Sequence, residues 1–276
     1  MNNELLVVLE HIEREKGISK ELLFSAIEQA LQSAARKIVG KNTEEDITAS
    51  VDRTTGEIKI LKGKEIIKSE EFGRIAAQTA KQVIIQKIRE AERNIIFEDF
   101  QTKVNTLVTG AVHRFEKGNI IVDLGRIEAV LSKKELSPKD NFKQGDRVRA
   151  YILEVKKSSR GPEVVLSRRA AGFVKKIFEL EVPEIYEGIV EIRAISRDAG
   201  ERTKISVYSK DERVDGVGAC VGMRGSRVKN IVRELNGERI DIVRWSDDIK
   251  EYAKNALSPA ELGEVKVDKD NKKLII

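Results

Sequence analysis

The chain has 276 residues, of which 35% are charged and only 5% aromatic, with a formal net charge of +5. That length supports two or three domains built on aliphatic packing, and no apolar run approaches the roughly 18 residues needed to span a bilayer. With no signal-like apolar stretch at the N-terminus, a cytoplasmic protein without a membrane partner is expected. One cysteine and two histidines exclude an internal disulfide and an ordinary structural zinc site, so neither a metal nor a cofactor is expected. Cys220, flanked by Ala219 and Val221, reads as a packed thiol rather than a nucleophile, and His11 and His113 as surface or turn residues.

Residues 1–100 carry 16 Lys and Arg against 18 Asp and Glu and read as a mixed α/β module. Residues 3–14 place Leu5, Leu6, Leu9 and Ile12 on one helical face. A second helix over 19–38 opens on Ser19 as N-cap, repeats Leu23, Ile27, Ala30, Leu31 and Ala34, and ends at Gly40. Residues 46–51 and 57–61 alternate apolar and polar positions around Thr54-Thr55-Gly56, which predicts a β-hairpin. Residues 72–100 form a long proline-free helical pattern whose charged face is a solvated one.

Between residues 101 and 170 the balance shifts to 15 Lys and Arg against 8 Asp and Glu. Short strands are predicted at 106–113, 118–123, 126–131, 146–155 and 163–167, with Gly110, Gly118, Gly125 and Gly145 where the chain bends. Five strands at this spacing suit a small OB-type barrel, a fold that tracks single-stranded nucleic acid along a basic groove. The aromatics are few, Phe115, Phe142 and Tyr151, so phosphate contacts from Arg114, Lys117, Arg126, Arg147 and Arg149 are expected to outweigh base stacking.

Residues 171–276 are balanced, 20 against 20, but contain the most informative run of the chain, Val221-Gly222-Met223-Arg224-Gly225-Ser226-Arg227-Val228-Lys229. Val214, Val217 and Val221 precede it at helical spacing; Val228, Ile231, Val232 and Leu235 follow it, and Asn236-Gly237 stops the second helix. Two glycines with basic neighbours between two helices make a phosphate cradle. Gly222, Met223, Arg224, Gly225, Ser226, Arg227 and Lys229 are its candidate RNA-binding residues. A helix at 170–178, strands at 189–195 and 204–208 joined through Asp198-Ala199-Gly200, and a strand at 240–245 complete the order of a prokaryotic-type (type II) KH domain.

Longer blocks extend this. Glu181-Val182-Pro183-Glu184-Ile185, Arg197-Asp198-Ala199-Gly200-Glu201-Arg202-Thr203-Lys204-Ile205, Val217-Gly218-Ala219-Cys220 leading into the glycine loop, Glu234-Leu235-Asn236-Gly237-Glu238-Arg239-Ile240-Asp241-Ile242 and Ser258-Pro259-Ala260 resemble the NusA family of bacterial transcription factors. The resemblance implies a multidomain α/β plus β chain. Its parts are an N-terminal α+β polymerase-binding domain (1–103), a five-stranded OB-type barrel of the S-one type (104–169) and a type II KH domain (170–255). The beginning of a second, incomplete KH domain (256–276) follows. It implies a non-enzymatic factor whose partners are RNA polymerase, nascent single-stranded RNA and other elongation or antitermination factors, and which modulates pausing, intrinsic termination and antitermination. The N-terminal helices and the Thr54-Thr55-Gly56 tip are its candidate polymerase-facing elements. Gly216 departs from the proline often found in the family and is expected to loosen the following helix start.

Two other readings fit KH and barrel modules: a ribosome-associated module, and an accessory part of an RNA-processing enzyme. For the latter, only the pair Asp247-Asp248 suggests a metal site, and adjacent carboxylates after a strand more often form a turn or helix cap.

Overall fold

The computed structural model describes residues 2–39, 47–63, 65–66, 70–158, 161–263, 265–268, 271 and 273–275. Gly40 and Asp46, expected to end a helix and begin a strand, lie outside them. The chain forms two compact units, Met1–Glu98 and Asp99–Ile276.

The first unit holds α1 (Asn2–Lys16), α2 (Lys20–Val39), β1 (Ile47–Val51), β2 (Ile58–Lys62), β3 (Glu65–Ile66) and most of α3 (Glu70–Thr102). α1 stops at Gly17, where a φ of +67° turns the chain out of the helix while its N–H still bonds the Glu13 carbonyl. Ser19 caps the next helix as expected, its Oγ accepting the Leu22 N–H at 3.3 Å. The apolar stripes then meet: Leu9 and Ile12 of α1, Leu23, Phe24, Ile27 and Leu31 of α2, Val51 of β1, and Ala80 and Ile84 of α3 share one core. The strands pair antiparallel in the order β1-β2-β3. Asp52 closes the β1–β2 turn by accepting the N–H groups of Thr54 and Thr55 at 2.8 Å each. The Thr54 hydroxyl and these amides hold the Asp52 carboxyl far below the usual carboxylate range.

The second unit begins with β4 (Leu107–Glu116), β5 (Asn119–Asp123), β6 (Glu128–Leu131), β7 (Arg147–Ser158) and β8 (Gly161–Ser167), closed into a barrel in the order β4-β5-β6-β8-β7. This is the expected five-stranded OB-type barrel. Val112, Ile120, Val122, Leu131, Ile152, Val164 and Leu166 are buried in it. Gly110 is required by close approach: a Cβ there would lie 2.4 Å from the Asp123 carbonyl, at the end of β5. Lys117 and Gly118, both with positive φ, turn β4 into β5.

There follow α4 (Ala171–Glu181), α5 (Pro183–Tyr186), β9 (Val190–Asp198), β10 (Arg202–Ser209), α6 (Gly216–Val221), α7 (Ser226–Glu234) and β11 (Arg239–Arg244). The sheet order is β11-β10-β9, with β10 antiparallel to β9 and parallel to β11, the arrangement of a type II KH fold. Phe173, Val174, Ile177 and Phe178 of α4 pack with Ile205, Val207, Cys220, Ile231 and Leu235 in its core. Burial pushes the Cys220 thiol up to about 12, as suits a packed thiol. The helix that opens on Gly216 is capped by Asp215, whose side chain accepts the N–H groups of Val217 and Gly218.

Beyond the predicted elements lie α8 (Ile249–Leu257) and a hairpin of β12 (Lys266–Asp268) and β13 (Lys273–Ile275). Asp248 caps α8 through the Lys250 N–H. The helix covers part of the sheet face opposite the core, where the Tyr252 hydroxyl bonds Ser206 at 3.1 Å.

Barrel and KH fold are joined by buried charge rather than by a linker. Arg168, 4% exposed, donates from Nε to Asp140 at 3.0 Å, from Nη1 to the Arg149 carbonyl at 2.6 Å, and from Nη2 to the Glu234 carbonyl at 2.8 Å. Its guanidinium also lies 4.8 Å from the Phe173 ring centroid. Asp140 in turn accepts Asn236 Nδ2 at 2.7 Å. Removing one partner of such a pair leaves a buried charge, so Asp140→Ala is expected to destabilise the second unit by about 3 kcal/mol in urea denaturation.

A second buried pair lies inside the KH fold. Arg197 donates to both oxygens of Glu238 at 2.9 and 2.8 Å, and Glu238 also accepts the Gly200 N–H at 2.8 Å and the Thr203 hydroxyl. Burial opposes ionisation of Glu238, yet these bonds outweigh it and hold its carboxyl below the ordinary range. A lowered folded value gives stability that is complete above the unfolded pKa of about 4.3 and is lost as pH falls through the folded one. The urea midpoint of the parent chain is therefore expected to fall below about pH 4 more steeply than that of Glu238→Gln; parallel curves would assign the acid sensitivity to other carboxylates.

Candidate nucleic-acid interface

The glycine loop is a short 3-10 turn, Met223–Gly225, between α6 and α7. Its two glycines do different work. Gly222 has φ 72° and ψ 172°, a combination open essentially to glycine alone. A Cβ there would also meet Arg227 Cγ at 2.7 Å. Gly225 has φ 77° and ψ 18°, the left-handed region that Asn and Asp also tolerate, and a Cβ there would make only ordinary contacts at 3.8 Å. Gly225 is also the N-cap of α7 and offers no side-chain acceptor to the first helical amides, which leaves the helix start suited to an anion.

The loop presents its side chains outward. Met223 is 88% exposed; Arg224, held at φ 52°, is exposed, as are Ser226, Lys229 and Arg233. Arg227 differs from its neighbours. Its guanidinium pairs with Glu184 at 2.8 Å and bonds the Ala219 carbonyl, so it faces the body of the domain rather than the loop's open side.

The barrel residues sort in the same way. Arg126, 74% exposed, pairs at long range with Asp99, at 3.8 Å, and Lys117 and Arg147 are exposed. Arg114 is bonded to Glu128, whose carboxyl is drawn down to about 2 by Arg114 and then by His113. Arg149 reaches Glu234 of α7 at 3.2 Å and so belongs to the joint between barrel and KH fold. Of the three barrel aromatics, Tyr151 joins the KH core and bonds Asn105 at 2.7 Å, and Phe142 lies under Arg168. Phe115 remains 54% exposed and is the one of these three left open to a base.

Glu128, Glu184 and Glu234 thus take up Arg114, Arg227 and Arg149, and sequence reasoning gave none of the three carboxylates that part. Only the Pro183 start of α5 and the position of Glu234 in the last turn of α7 could have drawn attention to the last two. If the open cations track phosphate, Arg147→Gln should lower the log–log salt slope of RNA affinity by about 0.7 for a single strand. Arg149→Gln should leave that slope unchanged and lower the unfolding midpoint instead; titrations over a salt series beside thermal unfolding distinguish the two.

Comparison with known proteins agrees with this arrangement module by module. The NusA N-terminal domain family matches residues 4–71 and 65–94, the S1 RNA binding domain family residues 101–169, and the NusA-like first KH domain family residues 168–245. Over 99% of its length the chain is 43% identical to the transcription termination/antitermination protein NusA of Halalkalibacterium halodurans, covering 79% of that protein. It is 41% identical to the NusA of Bacillus subtilis over the same share, covering 81% of it, and 41% identical to that of Rickettsia conorii, covering 61%. With every module matched in order and this identity sustained from end to end, the chain belongs to the NusA family.

Proposed function

We propose that this chain is an RNA-binding transcription elongation factor that modulates pausing, intrinsic termination and antitermination. In this reading residues 1–103 bind RNA polymerase, while the barrel (104–169) and the KH fold (170–255) hold nascent single-stranded RNA. Residues 256–276 open a second KH domain. It acts by binding, alongside other elongation or antitermination factors, and in the cytoplasm; no helix among the described residues is long and apolar enough to cross a membrane.

The observation that carries the reading is the outward-facing Met223-Arg224-Gly225-Ser226 turn at an N-terminus of α7 without a side-chain cap. Phosphate oxygens find there backbone donors, a glycine that allows close approach and the flanking charges of Arg224 and Lys229. The names of the relatives, transcription termination/antitermination proteins, favour this over a ribosome-associated or RNA-processing module. Of the Asp247-Asp248 pair that suggested catalysis, Asp248 serves as a helix cap.

The test is pause duration by purified cognate RNA polymerase at a hairpin pause, with the parent chain, Gly225→Asp and Gly225→Asn. Both substitutions suit the left-handed backbone, but only Asp places a negative charge in the cradle. The parent chain is expected to prolong the pause, Gly225→Asp to lose RNA affinity while still binding polymerase in a pull-down, and Gly225→Asn to lose less. No effect of the parent chain on the pause, with no polymerase captured, would transfer the assignment to the ribosome-associated module.

A further inference from the structure

Arg227 stands in the middle of the basic run but is held away from the loop's open side. Its Nη1 pairs with Glu184 of α5 at 2.8 Å and also bonds the carbonyl of Ala219 in α6. Its aliphatic stem passes over Gly222, with Cγ 2.7 Å from where a Cβ would fall. One turn further along α7, Asn230 Nδ2 bonds Glu181, the last residue of α4, at 3.2 Å. Arg227 and Asn230 therefore face Glu184 and Glu181 as two rungs of one ladder, each pair three residues apart. The ladder fixes the start of α7 against α4 and α5, and the Ala219 bond ties that start to the last turn of α6. The turn between them has nowhere else to go.

We propose that Arg227 is a positioning residue of the RNA cradle: clamped between Glu184 and Ala219, it locks the Gly222 turn so that Arg224, Gly225 and Ser226 meet the phosphates, and it makes no phosphate contact itself. This rests on the reading of the loop as the RNA contact. The physical ground is competition. A guanidinium has five N–H donors, but while Nη1 holds the Glu184 carboxylate and the Ala219 carbonyl the group stays on the side of α5 and α6. Swinging it to the loop's open side breaks both bonds and leaves Glu184 as an unpaired negative charge beside the RNA. Holding the loop in its bound shape lowers the ordering cost of binding instead.

The two roles predict opposite signs for Glu184→Gln. A positioning clamp loses its charged partner, so single-stranded RNA should bind more weakly, by about fivefold, with the salt slope unchanged. An arginine that belonged to phosphate would be released, and binding would tighten. The experiment is fluorescence anisotropy of a labelled single-stranded oligoribonucleotide against the full chain over a salt series, for Glu184→Gln, Arg227→Gln, the double variant and Gly225→Asp. Thermal unfolding and the emission of Trp245 report whether each variant is folded. Weakening by Glu184→Gln and Arg227→Gln to a similar extent, without further loss in the double variant, is expected. Tighter or unaltered binding by Glu184→Gln, or a drop of about 0.7 in slope for Arg227→Gln, overturns the clamp. Should Arg227→Gln not fold, the sign for Glu184→Gln alone decides. If Gly225→Asp binds RNA as the parent does, the loop is not the contact, and the clamp's role in binding fails together with that reading.

Discussion

A buried guanidinium is tolerated only when its donors are met, because an uncompensated charge in a protein interior costs several kcal/mol. Arg168 meets that condition by drawing on a barrel loop through Asp140, a barrel strand through the Arg149 carbonyl and a KH helix through Glu234. Much of the second unit follows from this requirement. The loop bearing Asp140 must lie against Asn236, the end of α7 must lie against β7, and α4 must start where Phe173 can cover the guanidinium face. Tyr151, a barrel residue, is then part of the KH core, so the two modules form one body and not two beads.

The same logic sorts the positive charges. A basic sequence is a set of cations in search of partners, and those that find a protein carboxylate at good geometry are structural. Arg149, Arg168, Arg197 and Arg227 all find one. Lys117, Arg126 and Arg147 on the barrel, with Arg224, Lys229 and Arg233 on the KH fold, remain toward solvent. This solvent-facing set of cations is what the folding of the other arginines leaves over.

The helices and strands were legible because their periodicities are local. Val228, Ile231 and Leu235 mark the inner face of α7 whatever the rest of the chain does, and the short apolar run Ile120-Ile121-Val122 between turn residues marks a strand. The barrel order and the KH order followed from element sequence. What could not be read was pairing over distance: Glu184 lies 43 residues from Arg227 and Glu234 lies 85 from Arg149, and no local pattern links them. The two glycines were legible as a loop but not as two different conformations, since the restriction at Gly222 arises from a backbone angle and from the stem of Arg227. α8 passed unnoticed for a different reason. Ile249, Tyr252, Ala253, Ala256 and Leu257 do stand at helical spacing, but the stripe spans only nine residues and buries Ala253 alone, so it marks no core of its own.

The parallel pairing of β10 with β11 has a consequence in time. Antiparallel β9 and β10 are neighbours in the chain and can close as a hairpin, whereas parallel strands need a crossover. Here the crossover is α6, the glycine turn and α7, and it is anchored only when Thr203 meets Ile240 and Val207 meets Arg244. Pairings of this range form after the local ones, because loop closure must come first. During synthesis, therefore, the turn is released from the ribosome well before β11 can secure it. For that interval the turn between α6 and α7 lacks the strand that anchors it, and its shape is fixed only once residue 244 has emerged and β11 has docked on β10.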